Sequence, residues 1–212
     1  MLSQPFNEQN ILIRKLEQDE IISIYTSHSV RHFPACERKP VSAILRLCES
    51  GSYTGYGLYP KQGTGDSLPA PLLCYAFFAI VPGRKNILLD YFAVMEEYRS
   101  HGIGSLFLRY VKSTAAEYDG ILIEIENPDF AADADELSIR SKRFDFYKRN
   151  GAFYTGILAE IFEARYRLLY FPVSDTPPVE TIYADFDEIY QHMVSPEHYR
   201  TQVHISLGKN KL

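Results

Sequence analysis

The chain has no tryptophan, three methionines and three cysteines in 212 residues. The odd cysteine count, and the separation of Cys36, Cys48 and Cys74, fit neither a disulfide framework nor a metal or redox motif. The thiols read instead as reduced core residues of a cytoplasmic protein. Long apolar runs are absent too: residues 72–82 form the longest, well short of the roughly 20 that cross a bilayer. Met1-Leu2-Ser3-Gln4-Pro5 has no basic region leading into an apolar stretch, so no signal peptide is expected. Basic excess is lacking as well, with 22 Lys and Arg against 27 Asp and Glu and a net charge of −5. That balance speaks against nucleic acid or an anionic membrane as a partner. No fixed-period repeat is visible, which excludes solenoids.

Aromatics are plentiful. With 16 Tyr and 13 Phe, 46% apolar and 23% charged residues, the chain can fill a large core. Its length suits one domain with a terminal appendage. Ile11–Leu16 reads as a strand, Gln18–Ser29 as a helix, and Arg31–Pro40 as a loop set off by prolines. A short helix, Val41–Glu49, stops at Gly51, and Tyr53–Tyr59 alternates as a strand does. Pro60–Pro71, rich in Pro and Gly, reads as a mobile hairpin loop. Leu72–Val81 and Ile87–Val94 look like strands buried on both faces. Ile103–Tyr118 carries apolar residues at helical spacing, Ile121–Glu126 is strand-like, and Leu137–Arg149 is a helix closed by Asn150-Gly151. Two last strands, Phe153–Ala159 and Tyr166–Phe171, precede a change of composition. From residue 174 an aromatic helix, Val179–Met193, and a polar end read as a helical appendage on a domain of residues 1–173.

The most informative stretch is Leu88–Tyr110, where a buried strand enters a short acidic turn and Arg99-Ser100-His101-Gly102-Ile103-Gly104 opens a helix. The first amides of a helix have no internal acceptor, and the helix dipole places partial positive charge there. Gly102 and Gly104 would let a ligand approach the main chain, and Arg99 and His101 add donors. A pyrophosphate suits such a turn. The string is neither a Walker A loop, which needs Gly-Lys-Ser/Thr, nor a dinucleotide fingerprint, which needs a third glycine. Lacking the lysine and a metal-binding acid at the right spacing, it also gives little support to a nucleotide-dependent enzyme.

Ala93-Val94 followed by Arg99-x-x-Gly102-x-Gly104 and a helix resembles the acetyl-CoA-binding motif of the GNAT superfamily of N-acetyltransferases. Phe146-Tyr147-Lys148-Arg149-Asn150-Gly151 is similar to that family's second motif, and the order of elements matches over about residues 10–172. Phe33-Pro34 with Glu37-Arg38 resembles the first inter-helix loop of some bacterial members. The resemblance implies a single α/β domain with a mixed, mostly antiparallel sheet of about seven strands and helices on both faces. It implies acetyl-CoA as acyl donor, no metal, and a small-molecule or peptide amine as acceptor, in a monomer or homodimer. The main chain of Phe92, Ala93 and Val94 would pair with the pantetheine arm. The pyrophosphate would lie on the amides of Arg99, Ser100 and His101, then of Gly102, Ile103, Gly104 and Ser105. Asn127 matches an asparagine that contacts the cofactor, and Tyr147 would be the general acid for the departing thiolate. Two departures stand out: Ala152 replaces the usual Phe, and Pro128–Glu136 adds an acidic stretch.

The base that deprotonates the amine stays open between Asp90, on the strand entering the turn, and Glu124, with Glu126 on the same strand face as Glu124. None of the three cysteines lies in either motif, so direct attack is expected rather than a covalent intermediate. Residues 117–136 hold eight acids and no Lys or Arg, while residues 137–149 hold five bases against Asp145. Complementarity to a helix dipole explains this split; an acidic rim for a cationic amine is the sharper alternative. The acceptor would be shaped by Arg31–Lys39 and Ala159–Arg165. The rival to an enzyme is a sensor or scaffold that holds acyl-CoA without turnover.

Overall fold

The computed structural model describes residues 6–61 and 70–208. In chain order the elements are β1 (Ile11–Lys15), α1 (Gln18–His32), α2 (Val41–Glu49), β2 (Tyr53–Pro60), β3 (Cys74–Ala79) and β4 (Asn86–Val94). There follow α3 (Ile103–Thr114), β5 (Gly120–Glu126), α4 (Ala134–Arg149), β6 (Phe153–Ile161) and β7 (Ala164–Pro172). Last come α5 (Val179–Met193), α6 (Pro196–Gln202) and β8 (Val203–Leu207). Residues 62–69 of the expected hairpin loop lie outside the described residues.

Eight strands form one sheet in the order β1-β2-β3-β4-β5-β7-β6-β8. Every neighbouring pair is antiparallel except β4 and β5. The apolar runs that looked doubly buried are so: all six residues of β3 are buried. One face of the sheet packs Tyr75, Phe77, Leu88 and Leu122 against α1, α2 and α5. The other packs Phe78, Leu89, Ile121 and Ile123 against α3 and α4. The sheet is thus covered by helices on both sides, as a sheet with a parallel centre requires.

Strand β4 is irregular in two ways. Phe77 pairs with Tyr91 and the next residue, Phe78, with Leu89, so Asp90 is an extra residue in a β-bulge. Beyond the bulge, β4 stays paired with β3 as far as Val94, but its pairing with β5 ends at Leu89 and Ile123. The two strands then part.

The sheet exceeds the expected seven strands by one. The extra strand is β8, antiparallel to β6 over Val203–Leu207, in the segment read from sequence as a helical appendage with a polar end. Val203 and Ile205 alternate with His204 and Ser206, a run too short and polar to announce itself. The segment is tied down by a buried network: the Asn86 amide donates to Asp185 at 2.7 Å, and the Tyr170 hydroxyl to Asn86 at 2.9 Å. Arg84 pairs with both Asp185 and Glu188. Helix α4 starts three residues before its first apolar position because Asp133 caps it, accepting from the Glu136 amide at 2.8 Å. Helix α3 ends at Thr114, before the expected Tyr118, whose own amide closes a turn on Ala115.

Candidate functional site

Where β4 and β5 part, a cavity of about 860 Å³ opens, lined from the α1, α2 and α5 side and, through Phe92, Val94 and Tyr147, from the α4 side. Its walls include the 31–46 loop and α2, the ends of β4 and β5, Arg99 of the following turn, Arg143 and Tyr147 of α4, the β6–β7 turn with Tyr166, and α5 with the residues after it. Among the residues singled out from sequence, Asp90, Phe92, Ala93, Val94, Arg99, Glu124, Glu126 and Tyr147 border it. Both loops expected to shape an acceptor site reach it, through Phe33 and Lys39 on one side and Ile161 and Phe162 on the other.

The turn after β4 reverses on left-handed residues. Ser100 has φ +65° and Gly102, at the start of α3, φ +77°. Among the described residues the amides of Ser100 to Ser105 have no acceptor, while that of Leu106 bonds the Gly102 carbonyl at 3.0 Å. They form a cluster of donors at a helix N-terminus, the chemistry that suits phosphate oxygens. Arg99 leans back to the Val94 carbonyl at 3.3 Å, and His101 Nδ1 meets the Arg99 carbonyl at 2.7 Å. The two glycines differ. A side chain at Gly102 would meet nothing within 4 Å, so its need for glycine is conformational. One at Gly104 would stand 3.0 Å from the Phe146 ring, so this glycine makes room for an aromatic and not for a ligand.

Phe146 belongs to an aromatic layer under the fork, with Phe92 between Phe107 at 5.3 Å and Phe146 at 6.4 Å. Tyr147 packs edge-on to Phe146 at 5.0 Å and is 6% exposed. Its hydroxyl has no hydrogen-bond partner among the described residues, and burial pushes its pKa well above that of a free phenol. Helix α4 ends there: the Ala152 amide bonds the Tyr147 carbonyl at 3.0 Å across Gly151, whose φ is +105°. Ala152 is buried, and the larger Phe153 beside it is 40% exposed.

The two carboxylates considered as base stand in opposite surroundings. Asp90 receives the Lys39 ammonium at 2.6 Å and the Tyr53 hydroxyl at 2.5 Å, with 3% of its side chain exposed. It is a compensated charge, fixed by its partners. Among the described residues Glu124 has no cation within ion-pair range; its carboxylate accepts from the Tyr190 hydroxyl, 2.8 Å from one oxygen and 2.9 Å from the other. Burial, as the main cause, raises its pKa to about 8, and the charges of Asp90 and Glu37 add to the rise against Tyr190 and Lys39. Glu126 also faces the cavity but is held by Arg143 at 2.6 Å, with Arg140 at 3.6 Å. The same Arg140 pairs with Glu136 at 2.6 Å, so part of the sharp charge division is ion pairing within α4 and between α4 and the end of β5.

Asn127 does not join this group. It is 3% exposed, accepts the Asp129 amide at 3.1 Å, and gives its carbonyl to Arg140. Its side chain shapes the Pro128–Phe130 turn and does not border the cavity. Sequence reasoning missed Tyr190 altogether, and named Glu37 and Lys39 only as members of a loop, without a role for either side chain. Lys39 sits in a proline-bounded loop with no signal of its own. Glu37, half-buried beside the cavity, has its pKa pushed up to about 7 by burial and by Glu126. Tyr190 lies on the apolar stripe of α5, where a tyrosine reads as core. Among the described residues no group of three or more His, Cys, Asp or Glu is placed to hold a metal ion, and no helix is long and apolar enough to cross a membrane.

No protein-family model and no curated protein sequence matches the chain. Solved structures do. A GNAT-family protein of Bacteroides thetaiotaomicron superposes with a TM-score of 0.58 at 15% identity, covering 89% of this chain and 98% of its own. Spermidine N-acetyltransferase of Vibrio cholerae, solved with CoA and spermine, gives 0.56 at 10% identity, covering 79% and 98%. NAA60 of Arabidopsis thaliana, solved with acetyl-CoA, gives 0.54 at 13% identity, covering 77% and 98%. The forked sheet, the amide-rich turn at the head of α3 and these superpositions agree, and the chain has the fold of the GNAT N-acetyltransferases.

Proposed function

We propose that the protein is an N-acetyltransferase that moves an acetyl group from acetyl-CoA to a primary amine by direct attack. The observation that carries this reading is the fork between β4 and β5, which places an unpaired main-chain edge, a tyrosine hydroxyl with no hydrogen-bond partner among the described residues and a buried carboxylate around one cavity. The residues fit acetyl-CoA. The amides of Ser100 to Ser105 with Arg99 would take the pyrophosphate, and the main chain of Phe92, Ala93 and Val94 would take the pantetheine amides. Bound there, acetyl-CoA supplies an activated acyl group as a thioester.

The chain's own groups then divide the proton work. Glu124, uncompensated by a cation, takes the ammonium proton, directly or through water, and becomes more competent as pH rises through about 8. Tyr147 keeps its proton across the physiological range because burial raises its pKa, and its hydroxyl delivers that proton to the leaving sulfur. Asp90 holds Lys39 and Tyr53, which sets the loop over the cavity; this favours Glu124 over Asp90 as base. Aromatic rings of Phe33, Tyr91 and Tyr166 and the half-buried Glu37 suit a cationic amine. The domain of residues 1–173 would carry the donor site, and α5 of the appendage would complete the acceptor side.

The test is CoA release across a panel of primary amines, with the acetylated product identified by mass spectrometry. Release coupled to a gained acetyl group on an amine supports the reading. Tight acetyl-CoA binding with no release on any amine would favour a sensor instead.

A further inference from the structure

Tyr190 lies outside both sequence motifs, on α5, in the segment that follows the last strand of the expected domain. Its hydroxyl nevertheless reaches back 66 residues to sit almost equidistant from the two Glu124 oxygens. One hydroxyl donates to one oxygen at a time, so this geometry centres the donor on the carboxylate and holds the group in one place. The tyrosine is itself well held. Its ring packs edge-on to Phe186 at 5.3 Å, and α5 is anchored at three separate points. Asp185 accepts from Asn86 at the start of β4, Tyr183 donates to the Ile205 carbonyl of β8 at 3.0 Å, and the Met193 carbonyl accepts from Arg46 of α2 at 3.1 Å.

Packing alone does not account for the pair. A buried carboxylate held only by a phenol is costly to keep ionised, and an apolar pair of similar size would be the more stable filling. The groups that face Glu124 are Lys39 and Glu37 from the loop, Asp90 from β4, Tyr166 from β7 and Tyr190 from α5. Lys39 is bound to Asp90, so the Tyr190 hydroxyl is the one donor on Glu124 among the described residues. We propose that Tyr190 is a positioning residue for Glu124, orienting the carboxylate toward the acceptor amine, and that the segment after residue 173 is in this way part of the catalytic unit. The proposal rests on the acetyl-transfer reading with Glu124 as proton acceptor.

The experiment uses the full chain with Tyr190→Phe, which keeps the ring and removes the hydroxyl. Rate is followed from pH 6 to 10 on one amine substrate from the panel at saturating acetyl-CoA, so that the amine's own ionisation is common to both proteins. In parallel, the Glu124 carboxyl carbon is titrated by ¹³C NMR, its resonance assigned by its loss in Glu124→Gln. Removing a donor from a carboxylate raises its pKa, so the NMR titration and the rising limb of the rate profile should move together by about one pH unit to the alkaline side. That is about tenfold slower turnover at pH 7 and little change on the plateau, with KM for acetyl-CoA unaltered. Adding Tyr190→Phe to Glu124→Gln should change nothing further. A rate loss equal at every pH, or an NMR titration that does not move, overturns the proposal as a merely structural contact would. A parent protein that acetylates no amine overturns the transfer reading and this role with it; an active parent whose profile Tyr190→Phe leaves in place overturns the role alone.

Discussion

The parts of the molecule proposed for the donor and for the acceptor are built in different ways. The donor side is local and made of main chain: a strand end, a turn with two left-handed residues and the first amides of α3, all within residues 92–105. The acceptor side is made of side chains from distant elements, with Lys39, Asp90, Glu124, Tyr166 and Tyr190 brought together by the sheet order. Binding phosphates asks for backbone geometry, which glycine and helix capping supply within a few residues. Moving a proton asks for tuned side chains, and tuning needs neighbours that only a tertiary fold can provide.

The largest effect should come where the two sides meet. Tyr147→Phe is expected to lower turnover by about 10²–10⁴-fold with acetyl-CoA affinity nearly unchanged, read by steady-state kinetics and calorimetry. A loss within a few fold would assign the thiolate's proton to another group. Next in size, the two carboxylates should part in opposite directions. Asp90→Asn leaves the Lys39 ammonium without its counter-charge and should cost about 3 kcal/mol of stability in denaturant titration, with the shape of the pH–rate profile kept. Glu124→Gln should abolish the rise of rate with pH. It should also change how stability depends on pH. Glu124 titrates near 8 when folded, against 4.5 unperturbed, so the native protein keeps a proton that the unfolded chain releases between those values. Stability therefore falls as pH rises through that window, and Glu124→Gln should remove this slope.

On the donor side the two glycines give a sharper contrast. Gly102→Val forces a β-branched residue into φ +77° in open space, and should weaken acetyl-CoA binding by at least about tenfold while the domain stays folded. Gly104→Val meets the Phe146 ring and should show mainly as a lowered melting temperature, by about 1–3 kcal/mol of stability. Equal effects of the two would erase the distinction. The smallest effect is expected at the β6–β7 turn. The exposed Arg165–Glu160 pair, 3.1 Å apart, should contribute less than about 1 kcal/mol, so Glu160→Gln should be nearly silent in stability.

This division decides what could be read from the sequence. The turn at Arg99–Gly104, the long apolar strands and most of the helices were legible because each is a property of neighbouring residues. Glu124 and Glu126 were legible as a pair on one face, since strand alternation alone puts them there, and both do border the cavity. Their difference was not, because it depends on Arg143 holding one and Tyr190 the other. Asp90 was visible on its strand but not in its bulge, which exists only as a register against β3. Tyr190 could not be told from a core aromatic, because its helical spacing is that of the core and only its hydroxyl departs. Asn127 stands at the motif position, but its engagement by the following Pro128–Phe130 turn was not legible either, since it depends on the local fold of that turn.

The fork between β4 and β5 has a cost that concerns other chains rather than substrates. Past Leu89 and Ile123 the sheet carries two rows of unpaired amides and carbonyls in its middle, and such rows are templates on which another polypeptide can add a strand. Proteins usually shield such edges at the rim of a sheet with charge, proline or a bulge. Here the unpaired edge is interior and lines the cavity, with the Pro34–Pro40 loop held by Lys39 to Asp90 and α5 held by Tyr190 to Glu124 on its walls. The contacts that hold Lys39 and Tyr190 therefore stand beside the place in the sheet where β4 and β5 leave each other unpaired.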